Sequence, residues 1–161
     1  MKQGIAVVVS AFLVFCFTGC GTSKSGITEK TKRVQLGGLN LDDKKVTESL
    51  FSKHKNDKAH TVDFKKVLAD PEKYKGLILE TTAQIADTEG VGWLTYSYLG
   101  SEQVALYTPG PMAEKEKKVH RALGDYGLVK MKFLCVGDNP GPPGTQRLVP
   151  TIGILFEVEV P

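Results

Sequence analysis

The chain has 161 residues, 41% of them hydrophobic and 24% charged, with three Cys, one Trp and a formal net charge of +3. That length suits one domain of ordinary size, and the apolar fraction excludes a wholly disordered, collagen-like or disulfide-dense chain. The charge is unevenly placed: Lys2 alone in 1–20, nine Lys/Arg against five Asp/Glu in 21–60, and eleven against thirteen in 61–161.

After Lys2, Ile5 to Phe17 form an apolar run of thirteen residues broken by Ser10. A membrane-spanning helix needs about 20 apolar residues, so the run fits the core of a secretory signal behind a positive start. It ends at Phe17-Thr18-Gly19-Cys20, which resembles the lipobox of bacterial lipoproteins; Phe17 stands where that family usually has Leu, and Gly19 is the small residue at the cut. The resemblance implies that residues 1–19 are a signal peptide removed in front of Cys20. It further implies that the Cys20 thiol carries a diacylglycerol and the new amino terminus an acyl group. Two or three acyl chains anchor a protein stably where one is marginal. The membrane is therefore an expected partner, through the lipid on Cys20, and the expected location is its extracytoplasmic face. In that family Gly21, rather than Asp, after the Cys implies the outer membrane of a two-membraned host. An ordinary signal peptide with an incidental Cys, or an uncleaved anchor, is the alternative. Cys16 leaves with the signal, and Cys135, in an apolar run, reads as a small buried hydrophobe.

Residues 20–60 read as a flexible, lipid-anchored linker, rich in Lys, Ser, Thr, Gly, Asn and Asp. A coil of that length spans about 35 Å end to end. Within it, Asp42 to Lys55 is expected as a short helix capped by Asp42 or Asp43, with Val46 and Leu50 on one face and Phe51 at its margin. That helix either docks on the domain or is nascent in a solvated tether. His54 and His60 are too far apart and too isolated to form a metal pair.

The folded domain is expected over 61–161. Thr61 is placed as the cap of a helix over 62–69, ended at Asp70-Pro71 because the residue before proline is pushed out of the α region. Leu77, Leu79, Thr81, Ala83 and Ile85 alternate with Ile78, Glu80, Thr82 and Gln84 as a half-buried strand. A loop at 87–92 leads to strands over 93–99 and 104–108, and a helix follows at 112–123 with Met112, Val119 and Leu123 on a narrow apolar stripe. Val129, Met131, Phe133 and Cys135 mark a fourth strand, and 137–146 a turn-rich loop. The last strand has Ile152, Ile154, Phe156, Val158 and Val160 inward. Outward Lys130 and Lys132 are expected to face Glu157 and Glu159 as cross-strand ion pairs.

This order gives a mainly β fold: a five-stranded OB-fold-like barrel with a leading helix and a helix between strands three and four. Asp70-Pro71-Glu72-Lys73-Tyr74-Lys75-Gly76, followed by an alternating strand, resembles the OB-fold lipoproteins of bacteria, which are distantly similar to tRNA-anticodon-binding domains. The resemblance implies the fold and no assigned reaction. A small SH3-like barrel or an irregular sandwich is the fallback.

OB barrels bind ligands on their second and third strands and the adjoining loops. Here that surface takes in Trp93, Tyr96, Tyr98 and Tyr107, with Arg147 nearby, unless each aromatic belongs to the core or closes against the preceding helix. A slightly acidic, exported domain argues against nucleic acid, which wants a basic groove. No Ser/His/Asp order, Cys cluster or Gly-rich phosphate loop occurs, and Glu80, Asp87 and Glu89 lack EF-hand spacing. The expectation is a non-enzymatic module without cofactor or metal. It would bind an envelope protein, or alternatively a glycan or an oligonucleotide.

Overall fold

The computed structural model describes residues 31–86, 94–99, 102–124, 126–139 and 150–161, with the backbone alone at 86, 94–99 and 102. Five long strands form a mixed sheet: β2 (Ile78–Ala86), β3 (Leu94–Leu99), β4 (Glu102–Tyr107), β5 (Gly127–Asn139) and β6 (Thr151–Glu159). A two-residue strand, β1 (His60–Thr61), adds to β2 in parallel. The helices are α1 (Lys44–His54), α2 (Phe64–Ala69), α3 (Pro71–Tyr74) and α4 (Gly110–Leu123). β2 is antiparallel to β3 on one edge and to β5 on the other, β3 is antiparallel to β4, β4 runs parallel to β6, and β6 is antiparallel to β5.

The alternation over 77–85 is realised in β2 and its approach. Leu77, Leu79, Ala83 and Ile85 are buried, with Thr81 among them, while Thr82 on the other face is exposed. The last strand departs from simple alternation. Met131 pairs with Val158 but Phe133 pairs with Leu155, so one extra residue enters β6 between them. Such a bulge moves the following side chains to the opposite face. Leu155 therefore shares a face with Phe133, and Ile154 shares the other face with Leu134. Both faces are buried from Thr151 to Phe156. Val160, expected inward, lies past the end of β6 and is 53% exposed.

A strand buried on both faces needs cover on both sides, and the N-terminal segment, packed on β6 through Phe51 and Phe156, supplies part of it alongside α4. From residue 31 onward, the stretch read as a solvated tether is folded. Asp43 caps α1 by accepting the Lys45 N–H at 2.8 Å, a cap that satisfies one of the helix's orphan donors. Thr47, Leu50 and Phe51 on α1 are buried, and the Phe51 ring meets Phe156 edge-on at 5.8 Å. The Lys132 ammonium closes the far end of the helix by donating to the Lys55 carbonyl at 2.8 Å. Ahead of α1, Leu36 joins the core, the Val34 N–H donates to the Gly76 carbonyl at 2.7 Å, and Arg33 donates to the carbonyls of Lys73 and Lys75.

Other boundaries shift for local reasons. Thr61 is a strand residue, and Asp63 is the cap of α2, accepting the Lys65 N–H at 3.0 Å. Asp70 ends α2 and also caps α3, where Pro71 stands at the helix start. Glu116 is buried on α4 beside Met112, with Val119 and Leu123 partly buried. Residues 137–139, expected in a loop, still belong to β5.

The Asp70–Gly76 segment that carries the family resemblance is structural throughout. Glu72 accepts the Asp138 N–H at 3.0 Å and so clips α3 to β5. Tyr74 is buried, with the Lys73 ammonium 5.9 Å from its ring centroid. Gly76 adopts φ +79°, and a Cβ there would sit 2.6 Å from the Val34 carbonyl oxygen. Only glycine meets both conditions at no steric cost.

The expected ion pairs are re-partnered. Lys130 and Lys132 do stand opposite Glu159 and Glu157 in register. Yet Lys130 pairs with Glu80 at 3.0 Å, Lys132 goes to the α1 carbonyl, and Lys115 of α4 reaches Glu157 at 3.5 Å and Glu159 at 3.9 Å. Helix packing brings α4 and α1 over strands whose charges a two-strand reading leaves to each other.

Candidate functional site

The N-terminal cover does not lie flat. Between residues 31–39, α1 and the start of β2 it leaves an open groove of about 1000 Å³. That is at the upper end of the usual range for small-molecule sites, about 300–1000 Å³. Val34, Leu39, Val46, Leu50 and Ile78 give it an aliphatic lining. Leu50 and Ile78 are buried, whereas Leu39 is 42% exposed. Leu39 projects because Gly37 and Gly38, the latter at φ +77°, turn the chain just before it.

Basic residues line the groove as well: Lys32, Arg33, Lys45, Lys53 and Lys58, together with His54 and His60. Helical spacing puts Lys45, Ser49 and Lys53 along one side of α1, and Val46, Leu50 and His54 along the next. Asp57 is the acidic residue among the lining residues described. His54 Nδ1 lies 2.9 Å from its carboxylate. That hydrogen bond is the main cause holding the Asp57 carboxyl below its ordinary range, followed by charges that include Lys32 and Lys132. Among the described residues, Lys32, Lys45, Lys53 and Lys58 make no ion pair.

Among the residues singled out for ligand binding, Tyr107 is the one whose side chain is described, and it does not line this groove. Cys20, Trp93 and Arg147, and the loops at 87–92 and 140–146, lie outside the described residues. Tyr96 and Tyr98 sit on β3, paired through the backbone with Ala105 and Gln103 of β4. Tyr107, expected on the ligand surface unless it belonged to the core, is fully buried. Its hydroxyl donates to Asp42 Oδ1 at 2.5 Å and accepts from Asn139 Nδ2 at 2.8 Å. The bond to Asp42, just ahead of α1, is a second tie between the N-terminal segment and the sheet.

Cys135 is fully buried, and its Sγ lies 3.4 Å from the Pro71 carbonyl oxygen. Burial pushes the thiol up to about 12. A thiol held protonated to that degree is a packing residue, since the thiolate is the reactive form. Among the described residues, no group of three His, Cys, Asp or Glu could hold a metal, and no helix is long and apolar enough to cross a membrane.

The groove was missed because its residues fall in the stretch read as a tether. The available signals were the Val46/Leu50/Phe51 face and an excess of seven basic over four acidic residues in 31–60. Comparison of the chain with family models, with curated proteins and with solved structures finds no match.

Proposed function

We infer that this chain is a lipid-anchored, extracytoplasmic binding module, non-catalytic and built on an OB-type barrel. Support for the anchor is the lipobox-like segment ending at Cys20. Support for the barrel is the pairing of β2 with both β3 and β5, the parallel β4–β6 pair and the antiparallel β6–β5 pair. With α4 lying between β4 and β5, that is the connectivity of an OB barrel of five strands.

The observation that carries the binding role is the groove of about 1000 Å³ between residues 31–39, α1 and β2. A photo-crosslinking residue at Leu39 or Ser49, in cells, should yield an adduct that the same residue at Tyr126 does not. Tyr126 is the contrast because it is 56% exposed and does not line the groove. Equal adducts from all three positions, or none from the groove, would overturn the binding role. The anchor has its own test: palmitate labelling should vanish in Cys20→Ala, and persistent label refutes lipidation at that residue.

A further inference from the structure

We propose that the groove holds one anionic phospholipid of the membrane, its phosphate among the groove's lysines and the first part of an acyl chain on the aliphatic floor. The proposal rests on the binding role inferred above and gives that role its ligand class.

Two properties of the groove point to an amphiphile. Among the described residues its apolar floor is aliphatic: Val34, Leu39, Val46, Leu50 and Ile78. Protein hot spots favour Trp, Tyr and Arg, whereas a flexible acyl chain needs only aliphatic surface to leave water. The basic residues supply the second property. Lys32, Lys45, Lys53 and Lys58 carry four positive charges and make no ion pair among the described residues; Asp57, hydrogen-bonded to His54 and acted on by Lys32, is the one acidic lining residue described, so the lining stays net positive. Arg33 is held by the Lys73 and Lys75 carbonyls, so the charge facing the groove is mostly ammonium. Ammonium groups bind phosphate as mobile point charges and do not demand a planar, bidentate partner.

Access follows from the proposed anchor. Cys20 precedes Thr31, where the groove begins, by eleven residues. A fully extended segment of that length reaches at most about 40 Å. A groove on so short a leash stays beside the headgroups throughout the protein's life.

The test uses the full lipidated chain in nanodiscs of equal phosphatidylglycerol and phosphatidylcholine, released for native mass spectrometry. One phosphatidylglycerol should be retained, in marked preference to phosphatidylcholine. Attraction to an anionic headgroup amounts to about a fivefold change per lysine, so Lys53→Gln with Lys58→Gln should lower retention about 25-fold. Leu39→Ser should weaken retention of either lipid severalfold, because it strips aliphatic surface without touching charge. Equal retention of the two lipids overturns the proposal. So does an unaffected Leu39→Ser variant, which signals adsorption to a charged surface and not occupation of the groove. A groove-specific protein adduct at Leu39, with no lipid retained, overturns the lipid assignment while leaving the binding role standing. Absence of both adduct and lipid removes both. Binding of the chain's own acyl group is distinguished by mass and likewise overturns the proposal.

Discussion

Replacing Phe51 by Ala separates a folded N-terminal cover from a tether. Phe51 is 5% exposed, and its ring meets Phe156 at 5.8 Å and 75°. Truncating a buried Phe costs about 3–5 kcal/mol, and an edge-on aromatic pair accounts for about 0.5–1.5 kcal/mol beyond area burial. The Lys55 ammonium, 5.5 Å from the ring centroid, is exposed and adds about 0.5 kcal/mol. Because α1 lies at the surface and can partly collapse into the gap, the lower part of the range applies, about 3 kcal/mol. For a chain of this size that lowers Tm by about 10 °C. Urea unfolding followed by circular dichroism gives the free energy, with Ser52→Ala, an exposed neighbour on the same helix, as the control. A double-mutant cycle with Phe156→Leu should then return a coupling of about 0.5–1.5 kcal/mol. If Phe51→Ala changes stability by less than about 1 kcal/mol, α1 is not docked, and the account of the groove goes with it.

Gly76→Ala combines a positive φ with a Cβ 2.6 Å from the Val34 oxygen; it should cost about 3 kcal/mol by urea midpoint, from left-handed strain and a disturbed Val34–Gly76 hydrogen bond. Tyr107→Phe removes the hydrogen bonds to Asp42 and from Asn139 and should cost about 1–3 kcal/mol, while leaving lipid retention unchanged; a selective loss of ligand binding with full stability would return Tyr107 to the ligand surface. Cys135 makes stability fall at high pH. Its folded value, pushed up to about 12 by burial, lies above the 9.0 of a free thiol, so the unfolded chain loses the proton first. Its contribution is whole below pH 9 and lost between pH 9 and 12, at about 1.4 kcal/mol per pH unit. Urea midpoints of wild type and Cys135→Ala should therefore converge over that window, and parallel curves would refute burial of the thiol.

What the sequence made legible, and what it did not, divides along one physical line. Period-two alternation within a segment is a local property, and β2 follows it residue by residue through Leu77, Leu79, Thr81, Ala83 and Ile85. The bulge opposite Lys132 and Phe133 is different. Nothing in Ile152–Val158 marks an inserted residue, since both faces there are apolar and alternation carries no phase. The segment 31–60 is a second case. Its apolar residues are too sparse to form a core of their own, so composition alone assigns them to solvent. They fold because the sheet offers a core to join: Leu36, Leu50 and Phe51 are buried in it, with Phe51 on Phe156 of β6.

Charge is where that difference matters most. Read as a leash, the basic residues of 31–60 give diffuse attraction, averaged over many conformations. Fixed by the Asp43 cap, by the Arg33 and Val34 bonds to the α3–β2 turn, and by Phe51 on Phe156, they become a set of lysines at defined places around an aliphatic floor. Concentrating like charges in this way costs self-repulsion unless something of opposite sign is present. The repulsion is weak because the ammonium groups are solvated, and it rises as salt is removed. Anionic phospholipid should therefore stabilise the chain more at low salt than at high, by mass action on the folded state. Thermal unfolding with and without soluble short-chain phosphatidylglycerol, at about 20 mM and 300 mM salt, measures this directly. At the lower salt the Debye length is about 20 Å, long enough for all the groove's lysines to act together. A lipid-induced shift in Tm that is the same at both salts would mean that the aliphatic floor alone binds, and that the lysines have no part in recognition.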